Sequence, residues 1–125
     1  MIVRCTLLRN PITGEQEERS HWLSVGRNYV VLAIDASFGE GIYYRMIGDD
    51  LGGGPGLYDS RQFEVVDSAI PTMWIVRGTP DGSVEFGPPE WVEPGFWEAY
   101  FDGEATAREQ FASRSAEIMR AAASG

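Results

Sequence analysis

His21 and Cys5 are the single histidine and the single cysteine of the chain, and they are the first residues to weigh for nucleophile–base chemistry. A general base needs a hydrogen-bonding partner and a pocket. His21 has Ser20 beside it, but neighbours in sequence need not face each other. Cys5 lies on the apolar side of the alternating run "IVRCTLL". That marks a buried structural thiol, since reactive thiols require an accessible, electropositive site. No Cys/His cluster has ligand spacing, so neither a metal nor a cofactor is expected. The stretch "GDDLGGGPG" suggests a phosphate cradle, but it lacks the Gly-Lys-Ser/Thr ending and its aspartates repel phosphate. It also lacks the alternating ligands and distal Glu of a calcium loop. The plainer reading is a loop between strands. Carboxylate pairs such as Glu90 with Glu93, or Glu98 with Asp102, have the chemistry for acid–base work. Nothing in the sequence buries them, so they read as a solvated acidic face.

The whole-chain balance agrees with that reading. The 125 residues carry a formal net charge of −9, with ten arginines and no lysine. Such a surface disfavours nucleic acid and anionic membranes and favours a basic protein partner. Apolar residues make up 43% and charged residues 23%, as in an ordinary globule. The opening "MIVRCTLLRNPITGEQ" is too broken by arginine for a secretory leader. No run is long enough for a membrane helix. The lone cysteine suits a reducing compartment. The expectation is a soluble, cytoplasmic protein forming one domain over residues 1–125, with a β core at about 23–87 and an aromatic segment plus helix at 88–123.

Mostly strands must position these groups. "IVRCTLL" alternates with Val3, Cys5 and Leu7 on one side. "NPITGE" is turn chemistry, after which the polar "EQEERS" can pair back to complete an N-terminal hairpin. Tyr29–Ile34 is apolar on both faces and predicts one central strand. "IYYRMI" predicts another, and a short turn at Asp59–Arg61 leads into a strand through Phe63, Val65 and Val66. "MWIVRGTPDGSVEFG" predicts a hairpin around its Pro-Asp-Gly turn. From Glu104 to Ala123 the period changes. Phe111, Ser115, Ile118 and Ala122 form one thin stripe of an amphipathic helix, with Asp102 or Thr106 as its cap.

The segment "PPEWVEPGFWEAYFDG" concentrates aromatic rings and carboxylates. A helical turn over Phe96–Phe101 puts Phe96 and Tyr100 on one face and Trp97 and Phe101 on the next. Left in water, those rings would expose more apolar surface than a monomer usually carries. They are therefore expected to dock on the β core and bring the C-terminal helix with them. An interface for a partner is the alternative, since Trp and Tyr are common anchors.

"LSVGRNYVVLAID", "YYRMIGDD" and "GLYDSRQFEVVD" resemble bacterial Src-homology-3-like small barrels over about residues 23–67. The pattern is a Leu-x-x-Gly turn, a strand ending in an acidic turn, then Gly, an aromatic and Phe-x-Val-Val. The resemblance implies a small barrel, or else a bent antiparallel sheet, with an N-terminal hairpin and one C-terminal helix: a mainly β (α+β) fold. It implies no chemistry by itself. In size and charge the chain also resembles the small acidic immunity proteins of bacterial toxin systems. That resemblance implies a non-enzymatic inhibitor that occludes a basic toxin cleft. Glu40, Asp49, Asp50, Glu90, Glu93, Glu98 and Asp102 would be its anionic contacts, and Tyr43 or Tyr58 its rigid anchors. The rivals are an adaptor that takes a peptide in a groove lined by Tyr43, Tyr44 and Tyr58, and an enzyme using carboxylates near Trp91.

Overall fold

A computed structural model describes residues 1–37, 39–50 and 54–124. Parts of two expected turns, Phe38 and Leu51–Gly53, lie outside the described residues. The fold is mainly β, with three antiparallel sheets and two helices. The strands are β1 (Ile2–Cys5), β2 (Leu8–Arg9), β3 (Gln16–Glu17), β4 (Asn28–Val30), β5 (Ala33–Ser37), β6 (Gly41–Ile47), β7 (Pro55–Asp59), β8 (Phe63–Asp67), β9 (Ile75–Gly78) and β10 (Val84–Gly87). Helix α1 (Phe96–Phe101) and helix α2 (Ala105–Ser124) follow. The sheet orders are β4-β1-β8, β7-β6-β5-β10-β9 and β2-β3. Among the described residues these sheets do not close into a barrel.

The expected central strand at Tyr29–Ile34 is two strands. β4 pairs with β1, then Val31 and Leu32 cross over, and β5 pairs with β6 and β10. Both crossing residues are fully buried, because each enters a different core. Val31 joins Val3, Cys5, Leu8, Leu23, Tyr29, Tyr44 and Met46, which pack the three-stranded sheet on one face of the five-stranded sheet. Leu32 joins Trp91, Phe96, Tyr100, Ala107, Phe111 and Ile118 on the helical side. An apolar run was legible, but serving two cores looks the same in sequence as serving two faces of one strand. The N-terminal alternation likewise changes phase after Cys5. Leu8 is buried and Leu7 only half-buried, because the chain leaves the β1 ladder to form the β2–β3 hairpin.

Two helices stand where one was expected as an element. α1 has the bounds of the anticipated helical turn. It ends at Gly103, whose φ of 82° is the left-handed conformation glycine adopts without strain. Gly103 N–H donates to Tyr100 O at 3.0 Å and Glu104 N–H to Ala99 O at 3.0 Å, the bonding pattern of a Schellman stop. Asp102 is therefore the C-cap of α1 rather than an N-cap of α2, and Thr106 lies inside α2. α2 buries Ala107, Phe111, Ser115 and Ile118. Ser115 donates its hydroxyl to Phe111 O at 2.7 Å, so its place in the stripe leaves no orphaned polar group.

The aromatic segment seals the second core. Trp91 is 2% exposed, with ring centroids 5.0 Å from Phe111 and 5.6 Å from Trp97. Burial of a ring of phenylalanine size contributes about 2–3 kcal/mol, and an indole contributes more because its area is larger. Phe101 departs from the expected inward face. It is 56% exposed, because the Schellman turn carries α2 away behind Tyr100 and Phe111. No helix among the described residues is long and apolar enough to cross a membrane.

Candidate functional site

The acidic residues singled out from sequence fall into three groups. Asp49 is an internal hub. It accepts hydrogen bonds from Ser24 Oγ at 2.7 Å and Tyr29 Oη at 2.8 Å, and it pairs with Arg27 at 3.0 Å. These bonds tie the acidic turn after β6 to the Leu23–Gly26 turn before β4, two of the three motifs on which the small-barrel expectation rests. Tyr29 Oη also accepts from Ser24 N–H at 2.8 Å. Burial, then the neighbouring Asp49 carboxylate, pushes its phenol up to about 12. Glu90 is also committed. Arg114 of α2 grips it through two nitrogens, at 2.7 and 3.1 Å, and this hydrogen bonding holds the Glu90 carboxyl below the usual carboxylate range. Glu90 thus clamps helix to core. Glu93, Glu98 and Asp102 are exposed around α1, while Glu40 and Asp50 are exposed in the turns that flank β6. The nine sequence candidates do not form one patch.

Tyr43 and Tyr58 do come together. They line a groove of about 800 Å³ between the five-stranded sheet and the N-terminal hairpin. Tyr58 shares the face of Tyr44 and packs partly on the first core, so it reaches the groove from the opposite face to Tyr43, while Tyr44 is buried in that core and does not line the groove. The hairpin wall supplies Arg9, Ile12 and Glu17; the chain after β3 supplies Arg19, His21 and Trp22; and the opposite wall is β7 with Asp35 and Glu40. Trp22 is 46% exposed and Ile12 92%, so the groove presents a bare indole and a bare aliphatic tip. Asp59 is held by Arg61 at 2.6 Å, and that contact lowers its carboxyl pKa. Arg9 donates to Gly14 O at 2.9 Å, while its buried Nε has no acceptor. Residue type and spacing gave no sign of Arg9, Arg19 or Trp22. They lie far along the chain from Tyr43 and Tyr58, and only the folded hairpin brings them opposite.

Near Trp91 a second, small cavity of about 40 Å³ is lined by Asp35, Arg45, Glu85 and Trp97. The Arg45 guanidinium lies 3.9 Å over the Trp97 ring. Its burial lowers its pKa to about 10, against the opposing pull of Asp35 and Glu85, so it remains a cation at neutral pH. Burial, followed by Asp35, raises the Glu85 carboxyl. The two half-buried carboxylates resemble an acid–base pair, but the space holds only a few waters. It is a polar seam under α1. Among the described residues no three His, Cys, Asp or Glu side chains gather as a metal site. Cys5 is buried, donates its thiol to Leu7 O at 3.4 Å, and has its pKa raised by burial. His21 sits at the groove rim, edge-on to Trp22 at 6.0 Å.

No protein family, curated protein or solved structure matches the chain.

Proposed function

We propose that this protein acts by binding another protein rather than by catalysis, and that its site is the groove between the N-terminal hairpin and β7. The observation that carries this is a groove of about 800 Å³ walled by partly exposed Trp22, Tyr43 and Tyr58. Rigid amphipathic rings in a concave site are the usual anchors of protein recognition. The reading takes residues about 23–67 as a small-barrel relative of the Src-homology-3 type. The Asp49 link between their two turn motifs supports it. The experiment is selection of phage-displayed random peptides on the immobilised full chain, followed by titration of a synthetic winner against Trp22→Ala and Tyr43→Ala. Either substitution should weaken binding by tenfold or more while the melting temperature barely moves. Winners indifferent to both substitutions, or no winners, would remove the groove from the function.

A second reading rests on α1, where exposed Phe101 sits among exposed Glu98 and Asp102, with Glu93 just before the helix. In that reading the protein is an immunity-type inhibitor whose acidic face covers the basic cleft of a toxin. Reversing Glu93 and Glu98 to Arg should leave stability within about 0.5 kcal/mol. It should also abolish the salt-sensitive capture of a basic protein encoded in the adjacent gene. Capture that survives the reversal rejects this face.

A further inference from the structure

The groove has a wall that side-chain chemistry alone does not explain. Gly54, Gly56, Leu57, Tyr58 and Asp59 all line it. Leu57 and Asp59 lie opposite Arg45 and Tyr43 in the β6–β7 register, whereas Gly56 and Tyr58 lie opposite Met46 and Tyr44. Residues directly opposite in an antiparallel pair share a face, and successive residues alternate between faces. A groove that touches both sets must therefore run along the edge of the strand and not across one face of the sheet. Among the described residues β7 is the terminal strand of the five-stranded sheet and pairs with β6 alone. An edge of this kind presents a row of N–H and C=O groups ready to pair with another chain. Edge strands are commonly guarded by lysine, proline, inward charge or a bulge. Here β7 begins at Pro55, which has no N–H to offer, and ends at Asp59, which is paired with Arg61. The stretch between them, Gly56–Tyr58, carries no charge, and the Tyr58 ring lies over Gly56.

The groove is also where the charge of this acidic chain is nearly balanced. Three of its ten arginines, Arg9, Arg19 and Arg61, lie in the lining. Arg61 is neutralised by Asp59, but Arg9 forms no ion pair with a described residue and its buried Nε lacks an acceptor. The Nε is closed off from a ligand, but the Arg9 side chain lines the groove, and its guanidinium is a cation that a ligand carboxylate can pair with.

Resting on the groove reading above, we propose that the partner binds as an added β-strand: an extended peptide segment that hydrogen-bonds to the free edge of β7 and sets a carboxylate side chain against Arg9. Main-chain bonds to the edge give affinity, and alternate side chains meet Tyr43 and Leu57 on one side and Trp22 and Tyr58 on the other, which gives specificity.

The test uses the phage-selected peptide against the full chain, with the strand-addition changes made in the peptide so that they leave folding of the protein untouched. N-methylation of successive single amides should alternate. Amides facing β7 should lose about tenfold in affinity when blocked, and those facing away should change little. Replacing the peptide's acidic residue by its amide should cost severalfold with the native chain and nothing with Arg9→Gln. A peptide whose binding needs Trp22 and Tyr43 but is indifferent to methylation at every amide overturns strand addition and leaves the groove reading standing. A selection that yields no peptide dependent on Trp22 and Tyr43 overturns both. Alternating methylation losses with no dependence on an acidic residue overturn the Arg9 contact.

Discussion

Replacing Trp91 by alanine and by phenylalanine separates the two things its indole does. The ring is 2% exposed and packs on Phe96, Trp97 and Phe111, while its Nε1 is a buried donor with no acceptor. An indole buries about 200 Å², worth about 5 kcal/mol at 25 cal/mol per Å², and large-to-alanine changes of this kind cost about 3–5 kcal/mol. Deleting the unsatisfied N–H returns about 1–2 kcal/mol. Trp91→Ala should therefore destabilise by about 1–4 kcal/mol. Trp91→Phe keeps most of the packed ring and loses the orphan donor, so it should cost no more than about 1 kcal/mol. Urea unfolding followed by circular dichroism measures both, and an unchanged denaturant slope confirms that the same folded state is being compared. A Trp91→Ala cost below about 1 kcal/mol, or a phenylalanine cost equal to the alanine cost, would refute the claim that this ring seals the helical core.

Glu90→Gln should lower stability near neutral pH by about 0.5–1.5 kcal/mol, because it removes one partner of a two-nitrogen grip. The sign with pH follows from the depressed carboxyl. The contribution is present above the ordinary carboxylate pKa and is lost as pH falls through the lowered one. Denaturation midpoints of the native chain and the variant should thus converge in acid and separate above about pH 5. Tyr29→Phe tests the Asp49 hub from its other side. The Tyr29 phenol is raised to about 12, so its contribution is intact below the ordinary tyrosine value and lost as pH rises from about 10 through 12. The native chain should lose stability over that alkaline interval and the variant should lose less. Asp49→Ala strands the Tyr29 hydroxyl and should cost about 1–3 kcal/mol in urea unfolding. A smaller loss would mean that the two turn motifs are not held together by this carboxylate.

The local elements were legible where one physical signal was enough. The Pro-Asp-Gly turn between β9 and β10, the one-turn helix at Phe96–Phe101 and the stripe of α2 each follow from residue type and period, which act over a few residues. Cys5 as a buried thiol follows from alternation alone. The site was legible only in part. Tyr43 and Tyr58 both line the groove but from opposite faces of the sheet, since Tyr58 lies opposite Tyr44 in the register, while Tyr44, adjacent in sequence to Tyr43, is lost to the core by the twofold alternation of a strand. Asp49 and Glu90 read as surface charge because nothing local announces that Arg27 and Arg114 will reach them.

By itself the sequence determined a β-rich chain with a C-terminal amphipathic helix and an aromatic segment too apolar to leave in water, since propensity, period and the hydrophobic effect are properties of short stretches. Only the tertiary structure decided that Val31 and Leu32 divide between two cores, that two of the expected acidic contacts are internal clamps, and that Arg9 and Trp22 line one groove with β7. Those outcomes depend on which strands pair and where the chain crosses between sheets. Such long-range choices are made by the whole set of contacts at once and leave no mark at any single position.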